Sequence, residues 1–166
     1  MTEHPVVKYP APVLFKGTEE VDQIGERERI LIKDMIDTMY LERGVGLAAN
    51  QIGVSKRIFV VSVDGVRGKE IICINPRIIR RKGSVSVEEG CLSIPGYFDE
   101  VKRYQEVTLR AKNLEGKIEE IKARGLLARV FQHETDHLDG ILFVNRFSFF
   151  KRRSVFRQLK SEIQER

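Results

Sequence analysis

The 166-residue chain has few cysteines and no long apolar segment, and both absences exclude whole classes of protein. Two cysteines are too few for the disulfide framework of a small secreted domain, so a reducing compartment fits best. No apolar run approaches the roughly 18 residues that a membrane-spanning helix needs. The N-terminal sequence MTEHPVVKYPAPVLF lacks the basic region and apolar run of a secretory leader. We therefore expect a cytoplasmic protein that does not enter the membrane.

Low-complexity tracts, internal repeats and long Gly/Ser linkers are also absent, and the length suits one domain with a real hydrophobic core. We expect this domain to extend over residues 1–147 and to be completed by an amphipathic helix over residues 148–166. Residues 151–166 carry six Lys/Arg and two Glu, a net charge of +4, while the preceding 150 residues carry +1. The charge pattern indicates a near-neutral domain with a basic final helix.

Short β-branched segments cluster in the middle of the chain, between three segments of helical periodicity. Helices are predicted over residues 26–42, 124–138 and 149–163. Strands are predicted over 57–63 and 70–76, extended chain with a turn at Gly83 over 77–89, and a hairpin over 106–123. Clustered strands between separate helices predict an α+β fold, with a central helix among mostly antiparallel strands and a helix near each terminus.

The segment QHETDH contains two histidines four residues apart, with a glutamate directly after the first. A helix turns about 100° per residue, so His133 and His137 can direct their rings to one point. Glu134 flanks that point and could exchange a proton with a metal-bound water. Leu126 and Val130 continue the histidine stripe, so these histidines are expected on a buried face where unpaired polar groups are costly. An ordinary polar turn is the alternative, but the H-E-x-x-H spacing favours half of a metal site.

A catalytic metal centre usually has three protein ligands and one open position, so one ligand is still missing. No histidine follows His137, and the nearest downstream carboxylate, Glu162, lies in the basic final helix where a solvated charge is expected. Upstream, Cys91 lies in EEGCLSIPG, where glycine, serine and a Pro-Gly turn indicate a loop. Cys73 is expected to be a small buried hydrophobe. The sequence therefore favours Cys91 as the third ligand.

The segment GVGLAANQIGV has small side chains along which a substrate backbone could lie, and Gln51 offers an amide donor. A plain turn after the first helix explains the glycines equally well. A phosphate-binding loop would need Gly-Lys-Ser/Thr, which is absent.

In this order, GVGLAANQ, EGCLS and QHETDH resemble the three motifs of the peptide deformylase family, and VKYPAPVL resembles its start. The resemblance covers nearly the whole chain. It implies removal of the formyl group from the formyl-methionine of nascent N-formylmethionyl polypeptides, with release of formate. It also implies Cys91, His133 and His137 as ligands of one divalent ion, commonly Fe²⁺, with Zn²⁺, Ni²⁺ or Co²⁺ as alternatives. Phe98 and Arg129 replace residues that are often basic and apolar, respectively, in relatives.

The residues and the resemblance together predict attack by a metal-bound hydroxide, with Glu134 taking the proton from water and passing it to the leaving amine. The amide of Gln51 and the backbone N–H of Leu92 are expected to share the oxyanion charge with the metal. Gly46 would let the substrate backbone approach, and Glu89 would orient the site from behind. The pocket for the methionine side chain is expected to contain Val45, Val87, Leu126 and Val130.

Asp136 is expected to form a salt bridge with Arg103 that fixes the metal-binding helix. The final helix is expected to dock through an apolar stripe of Phe149, Phe156, Leu159 and Ile163. Its cations then either remain solvated or contact ribosomal RNA. Two alternative functions remain open. One is a zinc peptidase that uses Glu162 as third ligand, and the other is a binding protein with a structural four-ligand metal site.

Overall fold

A computed structural model describes residues 4–164, so residues 1–3 and 165–166 of the two expected segments lie outside the described part. The helices are α1 (Glu26–Leu41), α2 (Gly125–Leu138) and α3 (Phe149–Gln164), with short 3₁₀ helices at Pro12–Phe15, Ala49–Ile52 and Phe143–Arg146. The strands are β1 (Gly46–Ala48), β2 (Ile58–Val61), β3 (Ile71–Lys82), β4 (Val85–Cys91), β5 (Ile94–Arg103), β6 (Glu106–Lys112) and β7 (Ile118–Arg124). These elements confirm the predicted α+β class.

All paired strands are antiparallel, in a five-stranded sheet of order β1-β2-β3-β6-β7 and a separate β4-β5 hairpin. The predicted hairpin over 106–123 is confirmed as β6 and β7, whose register runs from Glu106 opposite Arg124 to Lys112 opposite Ile118. The last residue of β4, Cys91, pairs with Ile94 of β5 and contacts His137 of the central helix.

Strand β2 is apolar along its whole length because helices cover both of its faces. Phe59 and Val61 lie in one core cluster with Phe131 of α2. Ile58 and Val60 lie in a second cluster with Met35 and Met39 of α1. Burial on both faces explains the continuous IFVV run, where a half-exposed strand would alternate.

Helix α2 is the central element of the fold, as the sequence predicts. Phe131 and Leu138 are fully buried in the core between the helix and the sheet. The helix ends before Gly140, which has φ +73° and lies so close to the chain at Phe15 that a Cβ would approach that carbonyl carbon to 2.7 Å. A glycine there therefore satisfies both the backbone conformation and the packing.

Strand β5 was not predicted, and the turn expected at Pro95-Gly96 lies instead at Leu92 and Ser93. Pro95 and Gly96 are part of β5, and Gly96 has φ +79° within the strand. A proline, a glycine and several charged residues conceal this strand from a search for alternating apolar residues.

The expected docking stripe of α3 is wrong in detail. Phe149 is 59% exposed and Ile163 is 42% exposed, whereas the buried residues of the helix are Val155 and Leu159. Val155 and Leu159 pack in a cluster with Phe143, and Phe156 is partly buried beside it. Among the described residues, no helix is long and apolar enough to cross a bilayer.

Candidate active site and metal centre

Three candidate metal ligands converge where the end of β4 meets α2. The ligand atoms of Cys91, His133 and His137 all lie within 4.8 Å of one another. The Cys91 Sγ is 3.2 Å from His137 Nε2, and the two histidine Nε2 atoms are 3.1 Å apart. Cys91 ends its strand and the histidines are one helical turn apart, so two rigid elements hold all three atoms.

The chemistry of this cluster fits a divalent transition metal. Burial alone would raise the pKa of the Cys91 thiol, but the neighbouring imidazoles hold that pKa well below its ordinary value of 9.0. A thiolate with two imidazoles is a donor set that such ions accept with a position left open. In the part of the chain that the structure describes, no fourth His, Cys, Asp or Glu joins the cluster, which disfavours a closed structural site.

The other candidate ligands lie elsewhere. Glu162 is exposed on α3, where its Oε1 accepts a hydrogen bond of 2.9 Å from the Gln158 amide. Cys73 is fully buried in the core under α2, and burial raises the pKa of its thiol, as expected of a small hydrophobe. The structure thus separates Cys91 from both alternatives.

Glu89 lies behind His133 and fixes its ring. The Nδ1–H of His133 donates to Glu89 Oε2 at 3.1 Å, which leaves Nε2 free to face the cluster. Arg103 donates to both oxygens of Glu89, at 2.8 and 2.9 Å. Burial alone would raise the pKa of Glu89, but the Arg103 guanidinium and the imidazole lower it to about 2. An ionised carboxylate of this kind orients a ligating histidine and increases its basicity.

The expected Asp136–Arg103 salt bridge is confirmed, with 2.6 Å between Arg103 Nη1 and Asp136 Oδ2. Arg146 also binds Asp136, and its Nε is 3.0 Å from Oδ2. The side chains of Arg103, Asp136 and Glu89 are nearly buried, so their charges are acceptable only because they pair with one another. The sequence contained no local signal for Arg146, since it lies ten residues beyond its partner.

Glu134 and Gly46 are in close contact across the site. The Glu134 side chain is buried, and a Cβ added to Gly46 would lie 2.5 Å from Glu134 Oε1 and 2.9 Å from Val130 Cγ1. Glu134 Oε2 has no hydrogen-bond partner among the described residues. Burial raises the pKa of this carboxyl above its ordinary value of 4.5, although the nearby imidazoles oppose the effect. A buried carboxylate oxygen without a protein partner is available to a water or a substrate in the cavity.

Gln51 is held so firmly that its amide has one orientation. Its Oε1 accepts the Ala48 N–H at 2.9 Å, and its Nε2 donates to Ser93 Oγ at 3.2 Å and lies 3.7 Å from Cys91 Sγ. The backbone N–H of Ser93 also donates to the Cys91 sulfur at 3.4 Å. Ser93, the last residue of the EGCLS segment, therefore supports the site although its sequence context predicted no such role.

An open cavity of about 560 Å³ adjoins the cluster and Glu134. Its lining includes every expected substrate-binding residue except Val87: Val45, Gly46, Glu89, Leu126 and Val130. Leu92 also lines the cavity, and its carbonyl accepts a hydrogen bond of 2.7 Å from Lys8, which the sequence did not reveal. Val87 is not part of this lining; it is partly buried and pairs with Val101 of the neighbouring strand β5.

Phe98 and Arg129 both line the cavity. The Phe98 ring lies against the backbone of Gly90, where a Cβ would collide with it, and 62% of Phe98 is exposed. The lining therefore combines one exposed aromatic ring with the guanidinium groups of Arg129 and Arg43.

Three converging side chains that could hold a metal ion, a buried carboxylate beside them and an adjoining cavity are the arrangement expected of a metal-dependent hydrolase. Comparison with known proteins narrows this class. Residues 3–153 match the model of the family described as polypeptide deformylase. The chain belongs to that family.

Curated relatives and solved structures agree with this assignment. A peptide deformylase of Acidobacterium capsulatum is 46% identical over 162 residues, which cover 96% of this chain and 95% of the relative. The crystal structure of a peptide deformylase from Legionella pneumophila superposes with a TM-score of 0.91 at 42% identity, covering 99% of each chain. A peptide deformylase from Ehrlichia chaffeensis, solved in complex with actinonin, has a TM-score of 0.88 at 39% identity and 98% coverage of both chains.

Proposed function

We propose that this protein removes the formyl group from the formyl-methionine of newly made polypeptides and releases formate. The observation that carries the proposal is the convergence of Cys91, His133 and His137 beside Glu134, in a member of the polypeptide deformylase family. The open cavity beside these residues has room for a peptide terminus.

The cluster would hold one divalent ion, with Fe²⁺ the proposed native metal and Zn²⁺, Ni²⁺ or Co²⁺ as substitutes that the same donors accept. When bound, the ion supplies a Lewis acid that makes a water acidic near neutral pH. The protein's part is to hold the ion with two elements and to fix the ring of His133 through Glu89.

Glu134 takes the proton from the attacking water on a carboxylate oxygen and delivers it to the amine nitrogen as the formyl C–N bond breaks. The Gln51 Nε2–H and the Leu92 N–H donate to the formyl oxygen while negative charge grows on it. Val45, Leu126 and Val130 surround the methionine side chain, and Gly46 admits the peptide backbone. Ser93 and Ala48 support this assignment, because they hold the Gln51 amide beside Cys91.

The direct test is formate release by the anaerobically prepared, iron-loaded protein. A formyl-Met-Ala peptide should yield one formate per peptide consumed, whereas acetyl-Met-Ala should remain intact. Cleavage of an internal peptide bond instead would favour the peptidase alternative. Metal analysis of Cys91→Ala against Glu162→Ala separates the two ligand sets, since only the first should lose the metal.

We also propose that the protein acts in the cytoplasm as one catalytic domain over residues 1–147 with a basic helix over 148–166. Arg153, Arg157 and Lys160 are exposed on α3, and Arg152 is half-buried. The three exposed cations remain accessible while Val155 and Leu159 are buried, which supports contact with ribosomal RNA phosphate. Such contact would bring the enzyme close to emerging formylated chains.

A further inference from the structure

One face of the five-stranded sheet is covered by α1 over only part of its width. Ile58, Val60 and Ile74 on β2 and β3 pack into the core cluster that contains the buried residues of α1. Beyond Ile74 the same face continues across 77–82 of β3, 106–112 of β6 and 118–124 of β7. The side chains of these three segments that point away from α2 form what we call the bare sheet face; its arginines, Lys82 and Lys122 are exposed, whereas Lys112 is partly buried and Thr108 is buried.

The strand register defines which residues share the bare sheet face. Arg80, Thr108 and Lys122 are directly opposite one another on three neighbouring strands. Val107 and Leu109, which alternate with Thr108, point instead into the core beneath α2. Residues directly opposite one another on paired strands share a face of the sheet, whereas consecutive residues of one strand lie on opposite faces. The strand pairing therefore determines which residues lie on the bare sheet face.

The bare sheet face is strongly basic. Its cations are Arg77, Arg80 and Lys82 from β3, Arg110 and Lys112 from β6, and Lys122 and Arg124 from β7. Within these three described segments, the carboxylates on this face are Glu106 and Glu120. The face therefore carries +5, which equals the formal net charge of +5 of the whole chain, so positive and negative residues balance elsewhere.

Four of these cations have no carboxylate partner in the part of the chain that the structure describes. Arg110 pairs with Glu120 at 2.7 Å, Arg124 pairs with Glu106 at 3.4 Å, and Arg77 pairs with Glu20. Arg80, Lys82, Lys112 and Lys122 have no carboxylate within 4.0 Å among the described residues. Strands are about 4.8 Å apart and alternate residues about 6.8 Å apart, so the four cover roughly 10 by 20 Å. A surface of this size with four unpaired cations can neutralise several phosphates at once.

We propose that the bare sheet face docks on the phosphate backbone of RNA. The idea rests on the proposed function, since formylated chains emerge from a particle rich in RNA phosphate. None of the three strand segments contains a Phe, Tyr or Trp, so the face offers no platform for base stacking and no aromatic anchor for a membrane. The contact is therefore electrostatic and independent of RNA sequence.

The location of the face is compatible with catalysis on a docked enzyme. The metal ligands of α2 lie on the opposite side of the sheet, where Phe131 and Leu138 pack. Helix α3 packs in a third cluster, with Ile94 and Val101 of β5. RNA on the bare sheet face would leave the cavity open and would not require α3.

The test is binding of a fluorescent 20-base-pair RNA duplex of arbitrary sequence to the metal-loaded protein between about 50 and 200 mM salt. In the variant Arg80→Gln/Lys82→Gln/Lys112→Gln/Lys122→Gln, the Kd at the lowest salt should rise at least about tenfold. The slope of log K against log salt should become shallower by about 3 to 4, roughly 0.9 for each phosphate that the variant no longer neutralises.

The matched control is Lys16→Gln/Lys33→Gln/Lys69→Gln/Lys102→Gln, which removes the same charge from scattered exposed positions and should leave the slope unchanged. Undetectable binding by the parent protein, or equal losses in both variants, would overturn the proposal. The proposal would also be overturned if the Arg80→Gln/Lys82→Gln/Lys112→Gln/Lys122→Gln variant lost binding to phosphatidylserine vesicles but bound RNA as the parent does. That result would indicate that the face binds a lipid surface. Formate release from a short formyl-Met peptide, measured in parallel, should be the same in both variants as in the parent. If the parent released no formate, that result would count against the proposed function and not against RNA binding.

Discussion

At the scale of single residues, the missing side chain of Gly46 makes room for the carboxylate of Glu134. The sequence suggested that glycine there admits a substrate backbone, and the structure adds a packing reason. A Cβ would lie 2.5 Å from Glu134 Oε1, well inside van der Waals contact. Glu134 cannot move away freely, because it is buried in α2 beside Val130.

Gly46→Ala is therefore expected to displace the Glu134 carboxylate without removing a metal ligand. Turnover of a formyl-Met peptide should fall by at least about tenfold while the metal content stays at the parent level, because a misplaced base loses part of the roughly 10²–10⁴-fold gain that it supplies. Gly17→Ala is the matched control, since a Cβ at Gly17 meets nothing within 4 Å. Equal turnover by both variants would contradict the packing explanation.

At the scale of elements, a series of connected ion pairs links the metal site to four parts of the fold. Arg146 of the last 3₁₀ helix and Arg103 of β5 both bind Asp136 of α2, and Arg103 also binds Glu89 of β4. Glu89 in turn holds His133. Each charge is satisfied only when β4, β5 and α2 are assembled, so the site and the fold should weaken together.

Unfolding at low pH should reveal how much these ion pairs contribute to stability. The pKa of Glu89 in the folded protein is about 2, below its ordinary value of 4.5. The carboxylate therefore contributes stability that is fully present above about pH 4.5 and is lost as the pH falls toward 2. The free energy of unfolding of the metal-free protein should fall across this window, and it should fall less in Glu89→Gln. Parallel pH curves for the two proteins would contradict this contribution.

Helix α3 provides a second prediction at this scale. Changing Arg152, Arg153, Arg157 and Lys160 to Gln leaves Val155 and Leu159 in place, so the helix should still dock. Co-sedimentation with ribosomes at low salt should decrease, because phosphate contacts by Lys and Arg dominate such binding. Turnover of a short formyl-Met peptide should not change. If co-sedimentation is absent in the parent or unchanged in the variant, α3 is not a ribosome anchor.

At the scale of the whole molecule, the sequence predicted what depends on local spacing and missed what depends on distant pairing. His133 and His137 are one turn apart, so the H-E-x-x-H spacing alone placed them together, and the α+β class followed from the order of the segments. Ser93, Lys8 and Arg146 reach the site through contacts that no local pattern encodes.

Two differences between the sequence-based expectations and the structure have the same physical origin. The predicted α3 stripe of Phe149, Phe156, Leu159 and Ile163 shares Leu159 with the observed buried pair of Val155 and Leu159, and only the surface on which the helix docks decides which neighbours of Leu159 are buried. Likewise, Val87 is apolar and close to Cys91 in sequence, but it pairs with Val101 of β5 and is not among the residues that line the cavity. Tertiary packing decides which apolar residues face a pocket.

In the proposed mechanism, Glu134 acts as the base beside a metal held by Cys91, His133 and His137. The most direct measurement is formate release from a formyl-Met peptide by Glu134→Gln, with the metal content determined in the same sample. The amide keeps the shape of the side chain but cannot accept the proton. Full metal occupancy with turnover lowered by roughly two to four orders of magnitude is the expected result. Turnover near the parent level with the metal bound would contradict it.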